Sequence, residues 1–195
     1  MIVTRLFNRS RISEHNVVVA GVIFYPGAKV EHTAYIPLMR VLADEGVLAV
    51  VVKMPYNLAL LKQTAAEGIR EQFPYIENWY MAGHSLGGSM AASYVSGHTE
   101  SFDGLILLAS YSTKDLSESG LSVLSVYGSL DEVLNRDKYE GNLDNLPEGY
   151  TEVVIEGANH AGFGVYGEQS GDGEATILAY EQINKTAKII AEFVK

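Results

Sequence analysis

A serine stands between two glycines in the stretch "MAGHSLGGSMAA", which covers residues 81–92. Gly83 and Gly87 lie two residues before and two residues after Ser85, a spacing typical of a nucleophilic serine held on a sharp turn between a strand and a helix. A serine hydroxyl is a weak nucleophile at neutral pH, so it needs a neighbouring base, and the base needs an acid that orients it. The alternative is that Ser85 caps a buried helix and that its glycines serve packing. The elements around Ser85 have to decide between these two interpretations.

Apolar blocks rich in β-branched residues recur along the chain and predict six strands. Most of them are continuous rather than alternating, which is typical of strands covered on both faces. Helical patterns separate most of the blocks, so the sequence predicts an α/β fold with a doubly wound, mostly parallel six-stranded sheet flanked by helices. The predicted strands lie within residues 17–25, 47–54, 79–83, 104–110, 121–128 and 151–157.

Four helices are predicted between and after these strands, within residues 33–46, 57–73, 85–98 and 175–195. Asp172 precedes the last of them, and we expect it near that helix N-terminus, where a carboxylate is favourable. The connection "YSTKDLSESG", between the fourth and fifth strands, is polar and barely long enough for a crossover helix. We therefore expect no cap domain. Ser85 itself falls at the carboxyl end of a parallel strand, where open α/β sheets bind their ligands.

The order of residues after Ser85 identifies its candidate partners. In this architecture an acid and then a histidine follow the serine, each on a loop after a later strand. Of the five histidines in the chain, only His160, in "VVIEGANHAGFG", follows a later strand. Asp131 comes three residues after Gly128, which ends the preceding predicted strand, and Glu132 is the alternative acid. We predict that Ser85 is the nucleophile, His160 its base and Asp131 the orienting acid.

An oxyanion formed during acyl transfer needs two N–H donors. In this architecture one comes from the residue after the nucleophile, here Leu86, and the other from the loop after the first core strand. That loop turns at residues 26–27, and the turn favours the N–H of Ala28 as the second donor, with the N–H of Lys29 as the alternative. The other interpretation is that residues 26–27 form an ordinary Pro-Gly turn with no role in a site. Four side chains on loops at the carboxyl ends of strands are candidate substrate-binding residues: Met54, Asn57, Tyr111 and Phe163.

Composition excludes several function classes. The net charge of −10 would repel nucleic-acid phosphates and anionic membranes, so we expect no nucleic-acid partner. The chain has no cysteine, which excludes disulfides, thiolate catalysis and cysteine-ligated zinc, and no motif calls for a cofactor or metal. The longest apolar run, residues 17–25, is too short to span a bilayer. We expect one domain over residues 1–195, with residues 1–16 of unassigned role, and a cytoplasmic location unless an export or anchor segment precedes this sequence.

Longer stretches carry a resemblance to a known family, in the right order and spacing. They are "VIFYPGAKVEHTAYIPLMRVLADEG", "VVKMPYNLAL", "AGHSLGG", "DGLILLASY", "VYGSLDEVL" and "IEGANHAGFGVYGEQSGDGEA". From about residue 17 to the C-terminus the chain resembles the small dienelactone-hydrolase-like branch of the α/β-hydrolase superfamily, also called α/β-hydrolase family 5. The resemblance implies Ser85, Asp131 and His160 as a catalytic triad and Ala28 and Leu86 as the oxyanion hole. Dienelactone hydrolases proper use a cysteine nucleophile, which this chain lacks.

These observations lead to an expected function. We expect a serine hydrolase that cleaves small carboxylic esters through an acyl-enzyme intermediate. The same triad also suits an acyltransferase or an amide hydrolase. A non-catalytic ligand-binding module on the same scaffold is the alternative from another class, since fold alone does not determine activity. A binding module, however, has no reason to keep Ser85, Asp131 and His160 in register.

Overall fold

A seven-stranded sheet forms the centre of the protein in a computed structural model, which describes residues 3–6 and 18–195. The strands are β1 (Val3–Leu6), β2 (Ala20–Tyr25), β3 (Val47–Val52), β4 (Trp79–His84), β5 (Gly104–Leu108), β6 (Ser122–Gly128) and β7 (Thr151–Ile155). Their order in the sheet is β1-β3-β2-β4-β5-β6-β7, and the six predicted strands, β2 to β7, are all parallel to one another. The predicted fold class is therefore confirmed. Strand β1 is an addition, and it pairs antiparallel with β3 at the edge of the sheet.

The burial of the strands explains their sequences. Every residue of β2, β3 and β4 is buried, because helices or loops cover both faces of the sheet there. Such strands read as continuous apolar runs. The last strand, β7, lies at the other edge, and four of its five residues are exposed or only partly buried. The order of the strands puts β4, which leads into Ser85, in the middle of the sheet.

The described part of the chain contains four α-helices beside the sheet: α1 (Ile36–Asp44), α2 (Leu86–Val95), α3 (Arg136–Glu140) and α4 (Ala179–Phe193). Helices α1 and α4 pack against one another on one face, and α2 covers the other face together with the segment after β3. The predicted helices within 33–46, 85–98 and 175–195 are confirmed as α1, α2 and α4. Gly46 follows the C-cap residue of α1 and has a φ of 86°, the left-handed conformation that favours glycine after a helix.

The helix predicted within residues 57–73 is wrong. That region forms short 3-10 pieces instead, Pro55–Asn57, Ala59–Ala66 and Arg70–Gln72. The reason is tertiary: the buried Tyr25 hydroxyl donates to the Gln63 carbonyl (2.6 Å) and accepts the Ala66 N–H (2.9 Å). These bonds use main-chain groups that a continuous α-helix would pair internally.

The connection between β5 and β6 has no helix, as its length suggested. It crosses the carboxyl end of the sheet beside Ser85 and contributes residues to the cavity described below. In the part of the chain that the structure describes, none of the helices has both the length and the apolar character needed to cross a membrane.

Candidate active site

Ser85 occupies a strained turn between β4 and α2. Its φ of 53° and ψ of −127° lie in a region that residues with a side chain rarely adopt. The Ser85 N–H donates to the Leu108 carbonyl of β5 at 2.9 Å, which fixes the turn to the sheet. A Cβ on Gly83 would lie 2.5 Å from the carbonyl carbon and oxygen of Gly87, and one on Gly87 would lie 2.2 Å from the Tyr25 carbonyl oxygen. Both glycines of the motif are therefore required by close main-chain contacts.

The strain at Ser85 leads to a stability prediction. We expect Ser85→Gly to raise the free energy of unfolding by about 1 kcal/mol relative to Ser85→Ala, because glycine relieves a conformation that costs about 1–3 kcal/mol and this outweighs its greater freedom in the unfolded chain. Chemical denaturation of the two variants measures the difference directly. Both lack the hydroxyl, so the comparison isolates the backbone. Equal stabilities, or a less stable glycine variant, would mean that the turn is not strained.

His160 and Asp131 form a buried pair. Nδ1 of His160 lies 2.9 Å from Oδ2 and 3.1 Å from Oδ1 of Asp131. Oδ1 of Asp131 also accepts the N–H groups of Val133 (3.0 Å) and Leu134 (2.8 Å), so the carboxylate is held by its own turn. This geometry fixes the imidazole with Nδ1 toward the acid and leaves Nε2 for another partner. Glu132, the alternative acid, is exposed, and the structure gives it no contact with His160.

Nε2 of His160 is the unpaired atom of this pair. It is buried and has no hydrogen-bond partner among the described residues, the Ser85 hydroxyl included. In substrate-free sites the bond between nucleophile and base is often long and shortens only when substrate binds. Ser85 and His160 nevertheless line one cavity of about 230 Å³, with the other walls formed by Leu86, Ser89, Ala109, Ser110, Tyr111, Val133, Leu134 and Asn135. The structure thus brings both residues to the same space.

Asp172 holds the loop that carries His160. Its Oδ1 accepts the N–H of His160 (3.2 Å) and, more weakly, that of Glu132 (3.4 Å), and its Oδ2 accepts the N–H of Ala161 (2.8 Å). The expectation that Asp172 lies near the N-terminus of α4 is wrong, because that helix begins seven residues later with Leu178 as its N-cap. Sequence reasoning missed this role. A carboxylate in a glycine-rich stretch after the histidine was the available signal.

The predicted oxyanion-hole donors are unpaired. The N–H of Lys29, the alternative donor, bonds the Asn57 carbonyl at 2.8 Å, whereas the N–H groups of Ala28 and Leu86 have no partner within the described residues. The two donors belong to segments in contact, since Gly87 on the first turn of α2 approaches the main chain at the end of β2 and its following loop. An N–H at the start of a helix also favours negative charge. These contacts favour Ala28 over Lys29.

The predicted substrate-binding residues divide between the cavity and the core. Tyr111 lines the cavity with Ser85. Met54 and Phe163 instead belong to the two hydrophobic cores on opposite faces of the sheet, because apolar side chains at the strand ends are covered by the surrounding loops. Asn57 does not line the cavity with its side chain. Its carbonyl instead accepts the Lys29 N–H in the loop after β2, as described above. Sequence reasoning missed the wall formed by Val133 and Leu134, two and three residues after Asp131.

A second histidine, His84, is buried beside His160, with ring centroids 4.6 Å apart. Burial lowers the pKa of His84 well below its ordinary value, and the proximity of His160 lowers it further. His84 is therefore neutral at neutral pH.

Within the described residues there is no group of three or more histidine, aspartate or glutamate side chains placed to hold a metal ion.

Comparisons with known proteins agree with this architecture. A family model described as "Alpha/beta hydrolase family" matches residues 21–184. Among solved structures, the monoacylglycerol lipase of Paleococcus ferrophilus superimposes with a TM-score of 0.70 at 12% identity, over 99% of this chain and 100% of that chain. Est1E from Butyrivibrio proteoclasticus superimposes with a TM-score of 0.66 at 14% identity, over 90% of this chain and 88% of that chain. The esterase domain of a Rhodothermus marinus protein superimposes with a TM-score of 0.66 at 11% identity, over 100% of both chains.

A search of curated protein sequences finds none that matches this chain. The solved structures are too distant in sequence to show more than a shared fold. The family model, in contrast, spans most of the chain and includes the segments that carry Ser85, Asp131 and His160. The chain belongs to the alpha/beta hydrolase family.

Proposed function

We propose that this protein is a serine hydrolase that cleaves small carboxylic esters through an acyl-enzyme intermediate. The observation that carries the proposal is the buried His160–Asp131 pair, in which Nε2 of His160 is unpaired and His160 lines the same cavity as Ser85. An unpaired buried polar atom is costly, and a substrate complex that brings the serine hydroxyl to it removes that cost. The solved structures that share the fold include an esterase domain and monoacylglycerol lipases, which supports an ester as substrate.

In the proposed mechanism, Oγ of Ser85 attacks the ester carbonyl while Nε2 of His160 takes its proton. The carbonyl oxygen becomes an oxyanion that accepts the N–H groups of Leu86 and Ala28. Collapse of the tetrahedral intermediate breaks the bond to the alcohol, which leaves with the proton from His160. Water then attacks the acyl-enzyme, again giving a proton to His160, and the carboxylic acid is released as Ser85 regains its hydrogen. Asp131 orients the imidazole throughout.

Labelling with a fluorophosphonate probe tests this proposal. The probe reacts covalently only with an activated serine, so we expect one labelled site, Ser85, identified by peptide mass spectrometry. Pretreatment with the probe should remove hydrolysis of p-nitrophenyl acetate in proportion to the labelled fraction. A protein that binds esters but is neither labelled nor active would be a ligand-binding module. Transfer of the acyl group to an added alcohol in preference to water would identify an acyltransferase.

The size of the cavity predicts a preference for short acyl chains. It measures about 230 Å³, and the hydroxyls of the two serines that line it beside Ser85 are already used: Ser110 donates to the Ser85 carbonyl at 2.7 Å, and Ser89 donates to the Tyr111 carbonyl at 2.8 Å. The apolar residues of the wall are Leu86, Ala109, Val133 and Leu134, and in a cavity of this size they reach only a few carbons of an acyl chain. Each methylene that reaches such a wall contributes only about 0.8 kcal/mol, and those beyond it contribute nothing.

We therefore expect kcat/KM to peak between acetyl and butyryl p-nitrophenyl esters and to fall by octanoyl, with no activation at an oil–water interface. Steady-state kinetics over the series below the solubility limit measures this, with the Ser85→Ala variant giving the background rate for each ester. A preference for decanoyl over butyryl esters would contradict the prediction. It would show that Tyr111 and the loop after His160 line a longer groove.

A further inference from the structure

The hydroxyl of Tyr35 joins two parts of the site that are far apart in sequence. Tyr35 is fully buried beneath the loop after β2. Its oxygen accepts the Gly27 N–H at 3.0 Å and lies 2.8 Å from Nδ1 of His84, the residue immediately before the nucleophile. Gly27 immediately precedes Ala28, the proposed oxyanion donor. One hydroxyl therefore connects the oxyanion loop to the turn that carries Ser85.

The direction of these bonds follows from the number of hydrogens. The Tyr35 oxygen already accepts the Gly27 N–H, so its single hydrogen is available for Nδ1 of His84, which then acts as acceptor. This requires a neutral imidazole with its proton on Nε2. Burial lowers the pKa of His84 well below its ordinary value, which keeps the imidazole neutral. Burial likewise raises the pKa of Tyr35, so the phenol keeps the hydrogen that it donates.

The packing around the bridge leaves little freedom. A Cβ on Gly27 would lie 2.9 Å from Nδ1 of His84 and 3.0 Å from the Tyr35 oxygen, so the loop can approach this closely only at a glycine. On its other side the His84 ring lies 4.6 Å from that of His160 and 5.5 Å from that of Phe163. His84 thus contacts the proposed base as well as the oxyanion loop.

We infer that Tyr35 and His84 are positioning residues, which hold the Ala28 N–H at the distance from Ser85 that the oxyanion requires. The inference rests on the proposed function. Neither side chain reaches the reacting atoms; both act through Gly27 and the turn at Ser85. Because the oxyanion forms only in the transition state, loss of the bridge should lower kcat and leave KM nearly unchanged.

Tyr35→Phe tests the inference, because it removes the hydroxyl and keeps the ring. We expect kcat for p-nitrophenyl butyrate to fall by about 10- to 100-fold with KM within about twofold, as expected when an oxyanion donor is displaced. Tyr25→Phe is the matched control. Tyr25 is equally buried and its hydroxyl also makes two hydrogen bonds, both of them to the main chain of residues 63 and 66 on the opposite face of the sheet. It should lose stability in the same way and keep the wild-type kcat.

Two variants at His84 separate the hydrogen bond from packing. In His84→Asn the amide oxygen takes the position of Nδ1 relative to Cβ, so it accepts the Tyr35 hydroxyl and should keep kcat near wild type. His84→Leu has the same shape as the asparagine variant without the acceptor, and should lose as much as Tyr35→Phe. The Tyr35→Phe/His84→Leu double variant should be no slower than the slower single variant, since both changes break one bridge.

The wild-type rate in these assays tests the proposed function, and the ratios of the variants to it test the bridge. A Tyr35→Phe enzyme with wild-type kcat would overturn the inference. So would equal losses in Tyr25→Phe, since these would reflect general destabilisation, or equal losses in the asparagine and leucine variants of His84. Measurements are made at a temperature at which each variant is shown to be folded by circular dichroism.

Discussion

Replacing Ser85 with alanine is expected to lower kcat for p-nitrophenyl acetate by at least about 10⁴-fold, since loss of the nucleophile removes the acyl-enzyme pathway. Any residual rate would come from binding and from the N–H donors of the oxyanion hole, which do not need the hydroxyl. The fold should be unchanged, because the Ser85 side chain makes no hydrogen bond that caps α2. Steady-state kinetics and circular dichroism of the purified variant measure the two effects.

The matched control for this variant is Ser96→Ala. Ser96 lies just past the other end of α2, and the one described residue to which its hydroxyl bonds is Ser93, whose carbonyl accepts it at 2.9 Å. It should therefore keep the wild-type rate. Substantial activity in Ser85→Ala, with no contaminating esterase in a mock purification, would reject Ser85 as the nucleophile and return the motif to a packing role.

His160→Ala is expected to cause a loss of similar size, because the nucleophile and its base act as one unit. The Ser85→Ala/His160→Ala double variant should accordingly be no slower than either single variant. Asp131→Asn should be affected less than Ser85→Ala, since it keeps the shape of the side chain and removes only the charge and the acceptor that orient Nδ1. The measurement is kcat/KM for all four variants on one ester.

A double variant far slower than either single variant would mean that Ser85 and His160 act independently, and the triad would be rejected. Glu132→Gln is the control for the acid, because Glu132 is adjacent to Asp131 but exposed. If Glu132→Gln lost more activity than Asp131→Asn, the acid would have been assigned to the wrong residue.

The chain sequence by itself determined the parallel sheet and the order of its site residues. Strands buried on both faces must be continuously apolar, so most of the six runs were visible without any structure. The G-x-S-x-G spacing reflects main-chain contacts of Gly83 and Gly87, which any residue with a Cβ would break. In this architecture the acid and the histidine lie on loops after later strands, which identified Asp131 and His160, and the structure pairs these two residues directly.

Only the tertiary structure decided the features that depend on contacts between distant segments. Residues 57–73 have a helical pattern but form 3-10 pieces, because the Tyr25 hydroxyl bonds their main chain. Asp172 could serve a helix or a loop by its sequence, and its partners turn out to be the N–H groups of the His160 loop. The local sequence assigned no role to His84, which lies within the motif, or to Tyr35, which lies within the first predicted helix. Local sequence shows which conformations neighbouring residues prefer. Each of these roles depends instead on which buried polar groups the fold leaves without a partner. Such a group is costly until a distant residue supplies the hydrogen bond.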